Sequence, residues 1–256
     1  MIWPRRPSCI YVFSIAGPIT EASALDFALR LRELPTRKPA ACAVLLRVSS
    51  NGGAAGSAEA MIEAVNLCRE ELGLPIVALV METALSAGLL PALAADRVVV
   101  TPSATLGGAG AIVRLLSPSA LLSKLGVRYT AYASNDLKDM FSHCADLAPE
   151  AEQALQELVQ KNGRQFMTTI LACRPALSPE GMGCLAAGQV FNGAEAVALG
   201  LADMVGGFYA AVAECGRLAG HGAPMLRFVE QAPSMPAVPW SSLYGLLRMG
   251  KRWLSP

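Results

Sequence analysis

The residue that could do chemistry most directly is Ser86, within the segment Thr83-Ala84-Leu85-Ser86-Ala87-Gly88. This segment joins a predicted strand to a predicted helix. A serine hydroxyl is a poor nucleophile until a neighbouring base removes its proton, but a helix start would place it beside backbone N–H groups that lack intrahelical acceptors. Taken alone, Ser86 is more simply explained as the N-cap of that helix.

A second candidate feature is the glycine pair in Ser49-Ser50-Asn51-Gly52-Gly53, which follows the preceding predicted strand. An N–H from the Gly52-Gly53 turn and the N–H of Ala87 could together form an oxyanion hole, which stabilises the negative charge of a tetrahedral intermediate. By itself the glycine pair indicates only a tight turn.

The cysteine and histidine residues predict neither a metal site nor a cofactor site. The seven cysteines contain no C-x-x-C pair and form no Cys/His cluster at metal-ligand spacing. We interpret them as mostly buried free thiols in a reducing compartment. A catalytic cysteine is the weaker interpretation, because neither His143 nor His221 stands in a recognisable partner motif. No metal, nucleotide or other cofactor is expected.

Short apolar, β-branched segments alternate with longer segments rich in Ala, Leu and Glu. The predicted strand and helix pairs are residues 10–15 and 22–34, 43–48 and 56–72, and 76–81 and 86–95. This order predicts an α/β fold with parallel strands joined by helical crossovers, in which functional groups lie at the carboxyl ends of the strands. Residues 149–173 form a long amphipathic pattern typical of a helix.

The length and composition predict one large domain and a tail. The chain has 256 residues, 53% of them hydrophobic and 16% charged, and its formal net charge is +1. That charge provides no large basic field, so nucleic acid is not an expected partner. We place the domain at residues 1–221 and a proline-rich tail with an amphipathic C-terminal helix at residues 222–256.

Two apolar segments could indicate membrane targeting. Its N-terminus resembles a secretory signal, but the apolar segment Cys9–Ala16 is short and is followed by Gly17-Pro18, so we predict a buried strand instead. The longer apolar segment Val77–Val100 is interrupted by Glu82 and Asp96. We therefore expect a cytoplasmic or peripherally membrane-associated protein, without a cleaved signal peptide or a transmembrane helix.

A series of motifs extends the pattern around Ser86. Residues 86–88, 95–102 and 106–110 resemble the motifs A-S-G-G-Y-Y, A-D-x-I-V-A-x-P and T-G-S-I-G-V, while residues 47–53 resemble R-x-N-S-P-G-G. Residues 137–140 resemble Y-K-D-x, and the segments 174–180 and 188–203 resemble R-x-x-L-S-x-E and G-R-V-Y-x-G-x-x-A-x-x-L-G-L-V-D. This ordered series of segments resembles the motifs of the signal peptide peptidase A family, peptidase family S49.

This resemblance implies a crotonase/ClpP-like spiral of βα units with a parallel sheet, plus a C-terminal helical segment. It also implies a Ser/Lys dyad, with Ser86 as nucleophile and Lys138 as general base, and an oxyanion hole at Gly52, Gly53 and Ala87. A lysine base acts only when neutral, so burial in an apolar site would have to favour that form. Without the resemblance, the segment around Lys138 would be interpreted as a solvated turn.

Three positions depart from the family pattern. Gly108 stands where T-G-S-I-G-V has a serine that helps to orient the lysine, Ala87 replaces a glycine, and Asn51 replaces a proline. Alanine keeps its backbone N–H, so the oxyanion hole can persist. The change at Gly108 removes a supporting hydroxyl, for which Thr105 or Ser103 could substitute.

The expected function is a serine endopeptidase that cleaves hydrophobic peptides such as remnant signal peptides. The alternatives are a weak or inactive S49 homologue acting as a peptide- or membrane-binding scaffold, and a crotonase-type acyl-CoA hydratase or isomerase. The hydratase would need a carboxylate at the site, and Glu82 is the nearest in sequence. A Clp-type protease would need a Ser/His/Asp triad, for which His143 is the available histidine.

The expected partners are peptide substrates and further copies of this chain, as the resemblance implies. Peripheral membrane contact through residues 240–254 is a further possibility, because Trp240, Leu243, Tyr244 and Leu247 would share one helical face with basic residues after them. Packing of this segment on a neighbouring subunit explains the same pattern.

Overall fold

The computed structural model describes residues 8–34, 39–135, 137–142, 144, 146–220, 222 and 224–229. Within this part of the chain, eight strands form one sheet with the path β6-β5-β3-β2-β1-β8, and β4 pairs with both β3 and β7. The strands are β1 (Cys9–Ala16), β2 (Ala41–Ser50), β3 (Ile76–Leu85), β4 (Arg97–Val100), β5 (Thr105–Gly107), β6 (Val190–Asn192), β7 (Met204–Val205) and β8 (Met225–Val229).

The central strands are parallel, as predicted, and only β5 and β6 form an antiparallel pair. The long strand β3 has two different neighbours along the same edge: its residues Val77–Val80 pair with β4, and Thr83–Leu85 pair with β5. Because β3 thus continues past β4, its carboxyl end projects beyond the centre of the sheet and leads directly into Ser86.

The helices are α1 (Glu21–Arg32), α2 (Ala55–Leu72), α3 (Leu89–Leu93), α4 (Ser119–Lys124), α5 (Pro149–Cys173), α6 (Pro179–Ala186), α7 (Gly193–Ala198) and α8 (Phe208–Ala219). Local signals fix several of their starts. Thr20 and Ser23 form a capping box at α1, and Pro149 occupies the first turn of α5, where its missing N–H costs nothing.

Helices cover both faces of the sheet, which explains why its central strands are apolar along nearly their whole length. On one face a large core joins β1–β5 to helices that include α1, α2 and α3. On the other face α8 packs through Ala211 and Cys215 on a smaller cluster that includes Val12, Leu45 and Leu79.

Two features differ from the sequence-based expectation. The predicted helix 86–95 is a 3-10 turn, Ser86–Gly88, followed by the short helix α3. Strand β8 lies in the segment 222–256 that was expected to be a tail, and it pairs with β1, so the sheet extends past residue 221. The predicted amphipathic helix around residues 240–254 lies outside the described residues.

Candidate active site

Ser86 lies at the tip of a sharp turn where β3 ends. Its φ of 49° is the only positive φ of a non-glycine residue in the described part of the chain. A left-handed backbone is unfavourable for a residue with a Cβ, and such strained residues cluster at active sites. The same geometry, a serine on a strained strand-to-helix turn, presents the nucleophile of other hydrolases.

The hydroxyl of Ser86 does not cap a helix, so the N-cap interpretation of this residue is wrong. The N-cap of the 3-10 turn is Leu85 and that of α3 is Gly88, and neither cap has a side-chain hydrogen bond. Ser86 itself is half-buried, and no described side chain forms a hydrogen bond with its hydroxyl. The hydroxyl is therefore left available for another role.

The glycine pair packs directly against this turn. A Cβ added to Gly52 would lie 2.8 Å from Ser86 Cβ and 3.2 Å from the Ala87 nitrogen, and one added to Gly53 would lie 2.1 Å from the carbonyl oxygen of Ile19. On the other side of the turn, a Cβ on Gly88 would lie 2.8 Å from Ser50 Oγ. The close approaches of Gly52 and Ser50 thus hold the turn in position, and the approach of Gly53 to Ile19 holds the glycine pair.

Two backbone N–H groups at this junction have no acceptor within the described residues. Ala87 is the second residue of the 3-10 turn, so its N–H lies ahead of the first intrahelical bond. Gly53 N–H likewise has no partner, although its neighbours exchange hydrogen bonds with Ile19. The N–H of Gly52, in contrast, donates to Ser50 Oγ at 3.1 Å. Of the glycine pair, Gly53 is therefore the free donor.

Gly108 lies beside the turn at Ser86. Strand β5 places Gly107 next to Leu85, and a Cβ on Gly108 would lie 3.9 Å from the backbone nitrogen of Ser86. Thr105 pairs instead with Thr83, about 10 Å from Gly108 along an extended chain. Ser103 is exposed. Neither hydroxyl occupies the place that a side chain on Gly108 would take.

Lys138 is exposed in a turn within the segment between α4 and α5, and its backbone N–H donates to the Asn135 carbonyl at 3.2 Å. No hydrogen bond joins its ammonium group to Ser86 in the described residues. The neighbouring Asp139 accepts a hydrogen bond from Tyr129 at 3.2 Å. The isolated chain therefore brings together Ser86, Gly52, Gly53, Ala87 and Gly108, but not Lys138.

The segment that carries Lys138 exposes an unusual amount of apolar surface. Tyr132 is 99% exposed and Leu116 is 79% exposed. Other exposed apolar residues here are Ile112, Leu121, Leu125, Val127 and Leu137. Exposed apolar surface of this extent is typical of a surface that contacts another molecule. We call residues 111–142 the apolar arm.

Other groups considered from the sequence lie elsewhere. Glu82 accepts a hydrogen bond from Ser49 at 3.2 Å and lines a cleft that does not include Ser86. His143 and His221 lie outside the described residues. Burial raises the pKa of the Cys68 thiol to about 11 and that of the Cys215 thiol to about 12, which disfavours the reactive thiolate form of both. Among the described residues, no cluster of three or more potential metal ligands occurs.

Two acidic residues of the recognised motifs support the fold. Asp96 accepts hydrogen bonds from Ile76 N–H and Arg69 Nε, both at 2.7 Å. Asp203 accepts from Val98 N–H at 2.6 Å and pairs with Arg97 and Arg174, each at 3.0 Å. Asp96 thus binds the start of β3 and Asp203 binds the start of β4, and both stabilise this part of the sheet. Sequence reasoning had not assigned these roles.

Sequence comparison gives relatives that are named as proteases. The chain is 28% identical over 209 residues to a protein of Synechocystis provisionally named protease slr0021, a match covering 80% of this chain and 74% of the relative. It is 32% identical over 182 residues to a protein of Enterococcus faecium provisionally named signal peptide peptidase SppA, covering 71% and 52%. It is 29% identical over 210 residues to Protease 4 of Salmonella typhi, covering 82% and 34%. The chain thus spans about half of the second relative and a third of the third.

The fold is also that of a solved protease. A variant of the 1510-N membrane-bound stomatin-specific protease superposes with a TM-score of 0.54 at 14% identity, covering 89% of this chain and 99% of that one. Another variant of it, in complex with a substrate peptide, gives a TM-score of 0.50 at 17% identity, covering 93% and 99%. The sequence model of peptidase family S49 matches residues 69–221, more than half of the chain. This chain therefore belongs to peptidase family S49.

Proposed function

We propose that this chain is a serine endopeptidase in which Ser86 is the nucleophile and Lys138 is the general base. The observation that carries the proposal is the strained backbone of Ser86, whose hydroxyl caps no helix and lies beside two free N–H groups. Strain without a structural role is typical of a functional residue.

The proposed reaction follows the chemistry of these groups. Neutral Lys138 Nζ takes the proton of Ser86 Oγ as a new Oγ–C bond forms at the peptide carbonyl, and the N–H groups of Gly53 and Ala87 stabilise the resulting oxyanion. The C–N bond then breaks, and the lysine ammonium returns the proton to the leaving amine. Water releases the acyl group in a second cycle with the same base.

Labelling with a fluorophosphonate tests the nucleophile. The wild-type chain should become covalently modified and cleave an apolar fluorogenic peptide, while Ser86→Ala should do neither. Ser103→Ala is the matched control, because this serine is exposed and lies between β4 and β5, outside the turn at Ser86. Equal labelling of wild type and Ser86→Ala would show that another residue is the nucleophile.

The dyad requires Lys138 to leave its exposed position and become desolvated beside Ser86. We propose that self-association through the apolar arm provides this environment, which makes the active form a homo-oligomer. Burying the arm would also remove its large apolar residues from water, which is the main driving force of association. Two arrangements are then possible: Lys138 can come from the same copy as Ser86 or from a neighbouring copy.

Mixing two inactive variants distinguishes these arrangements. Co-refolded Ser86→Ala and Lys138→Ala chains should recover about a quarter of wild-type activity if the dyad forms across subunits, since one site in four would combine two intact residues. No recovery is expected if it forms within one chain. Lys124→Ala, which changes an exposed lysine in α4, is the control and should stay active. A fully active Lys138→Ala chain would exclude this lysine as the base.

For the substrate, we propose hydrophobic peptides such as remnant signal peptides. The names of the relatives and the substrate peptide bound to the solved protease support peptides as the substrate class. A set of apolar and charged peptides with the same scissile bond tests the preference. Faster cleavage of the charged series would contradict it.

A second candidate function is a peptide-binding scaffold with little or no activity. Two observations favour this alternative. Gly108 stands where the family motif has a serine, and Lys138 is exposed and makes no hydrogen bond to Ser86 in the described residues. It predicts that apolar peptides bind with the same affinity to wild type and Ser86→Ala, while the fluorophosphonate labels neither chain.

We further propose a cytoplasmic or peripherally membrane-associated location, with membrane contact through residues 240–254. None of the helices in the described part of the chain has the length and apolar character needed to span a bilayer. Deleting residues 240–256 should weaken co-sedimentation with anionic vesicles more than it slows peptide cleavage. Loss of cleavage with unchanged vesicle binding would contradict this role of the tail.

A further inference from the structure

A second cleft lies at the carboxyl ends of β1, β2 and β3, apart from the nucleophile turn. Its volume is about 220 Å³, and the polar residues that line it are Ser14, Arg47, Ser49 and Glu82. Arg47 and Ser49 follow Leu45 on the same face of β2, because alternate residues of a strand share a face. Leu45 lies in the cluster beneath α8, so this cleft opens where the cover of that helix ends.

Arg47 is an unusual residue for this position. It stands in a central strand, paired in register with Ser14 of β1 and Leu79 of β3. Its Nε atom is buried and has no hydrogen-bond partner, and no described carboxylate lies within ion-pair distance of its guanidinium. Arg47 as a whole is half-buried, but its Nε atom has lost water without gaining a partner, which is destabilising.

Other arginines of the fold have carboxylate partners. Arg69 Nε pairs with Asp96 at 2.7 Å, and Arg174 Nη1 pairs with Asp203 at 3.0 Å, although Arg174 Nε and Nη2 are buried without a hydrogen-bond partner. Both ion pairs connect neighbouring elements. Arg47 makes no such connection, although Glu82 lines the same cleft, where it accepts a hydrogen bond from Ser49. Within the described residues, the guanidinium of Arg47 therefore lines the cleft without a carboxylate partner.

We propose that this cleft binds the carboxylate of an amino-acid-sized ligand, with Arg47 as the group that binds the anion. A planar guanidinium suits a carboxylate because it can donate two parallel hydrogen bonds. Glu82 adds a negative charge, which disfavours phosphate and other multiply charged anions and favours a ligand that also carries an N–H donor. The carboxyl terminus of a peptide and a free amino acid both have this chemistry.

The cleft adjoins the strands that lead to the nucleophile turn. Ser49 directly precedes Ser50, whose hydroxyl accepts from Gly52 N–H, and Glu82 lies on β3 four residues before Ser86. A peptidase produces new carboxyl termini, so a site for them at this edge of the sheet is chemically consistent with the proposed function. The binding itself does not depend on Ser86 as the nucleophile.

Calorimetric titration of the full-length Ser86→Ala chain tests the proposal without cleavage of the probe. The probes are N-acetyl-trialanine with a free carboxylate, the same tripeptide with a C-terminal amide, and free alanine. The free acid should bind at least tenfold more tightly than the amide. Arg47→Met should abolish this preference, and Arg47→Lys, which keeps the charge but loses the paired donors, should retain part of it.

The control variant is Arg32→Met, which removes an exposed arginine from α1 and the same charge from the chain. It should bind the free acid as the parent chain does. If free alanine binds as tightly as the free-acid tripeptide, the ligand is a free amino acid. If only the tripeptide binds, the ligand is the carboxyl terminus of a peptide. Equal affinity for acid and amide, no binding of any probe, or an unchanged preference in Arg47→Met would overturn the proposal. If Arg47→Met does not fold, an unchanged preference in Arg47→Lys has the same meaning.

A failure of this proposal would be distinguishable from a failure of the proposed function. Fluorophosphonate labelling of Ser86 in the Arg47→Met chain reports the nucleophile alone and should remain as in wild type. Titration in the Ser86→Ala chain reports the cleft alone.

Discussion

Replacing Gly108 by serine tests whether a hydroxyl at this position supports the proposed base, Lys138. The site has room for the side chain, because a Cβ there would make contacts of 3.7 Å with Val190 Cγ1 and 3.9 Å with Leu85 Cδ2. These are ordinary van der Waals distances. The new hydroxyl would also lie beside the nucleophile turn, since the same Cβ is 3.9 Å from the Ser86 nitrogen.

The backbone opposes this substitution. Gly108 has a φ of +61°, a left-handed conformation that costs a residue with a Cβ about 1 to 2 kcal/mol. For a chain of this size, each kcal/mol lowers the Tm by about 2–4 °C. Gly108→Ala is the matched control, because it carries the same backbone cost without the hydroxyl. Both variants should therefore melt a few degrees below wild type.

Activity should separate the two variants. One well-placed hydrogen bond to the base contributes about 1.4 kcal/mol, or about a tenfold rate increase, so Gly108→Ser should exceed Gly108→Ala by roughly that factor. The assay is the rate at which each of the three forms cleaves one apolar peptide under the same conditions.

Two outcomes would refute this reasoning. Equal rates for the serine and alanine variants would show that a hydroxyl at Gly108 does not reach the base. A wild-type rate equal to or above that of Gly108→Ser would show that the missing hydroxyl does not limit the activity of this chain.

Three further predictions concern stability. Ser86→Gly should be inactive but melt a few degrees above Ser86→Ala, because glycine relieves a positive φ worth about 1 to 2 kcal/mol; equal melting temperatures would mean that the turn carries no such strain. Gly53→Ala should lower the free energy of unfolding by at least about 2 kcal/mol, because its Cβ would meet Ile19 oxygen at 2.1 Å. In the same denaturant titration, Gly56→Ala should be neutral or stabilising, since open space surrounds its Cβ. Hydrogen bonds from Arg217 hold the pKa of Glu214 below its usual range, so its stabilisation is present above the unfolded-state pKa and is lost as pH falls through the lower folded-state pKa. The Tm difference between wild type and Glu214→Gln should therefore shrink on going from pH 7 to pH 3, and a constant difference would contradict this assignment.

The fold was largely predictable because its signals are local. Apolar segments and helix periodicity gave the three leading βα units, and Pro149 with the pattern after it gave α5 as residues 149–173. Strand β8 was missed because Met225–Val229 is only five residues long and does not alternate between polar and apolar residues, so only pairing with β1 identifies it as a strand. The proline-rich sequence that follows made the whole segment read as a tail.

The site divides in the same way. Ser86, Gly52, Gly53 and Ala87 could be named from their motifs, yet the sequence could not show which interpretation of Ser86 holds. That choice depends on the φ angle of Ser86 and on the absence of a helix-capping hydrogen bond from its hydroxyl, and tertiary contacts set both. Even the choice between Gly52 and Gly53 as donor rests on a single hydrogen bond to Ser50.

The position of Lys138 depends on still more distant interactions. The turn at Ser86 is held by close contacts with Ser50, Gly52 and Gly108, which lie at or just after the ends of β2 and β5, so one chain is enough to form it. Lys138 instead lies in the apolar arm, whose large side chains find no core to enter within the described residues. A segment that cannot bury its apolar surface alone has no energetic reason to hold one position. The fold of one chain is thus enough to fix Ser86, whereas the proposed base, Lys138, would gain a fixed position and lose its water only when the arm is covered.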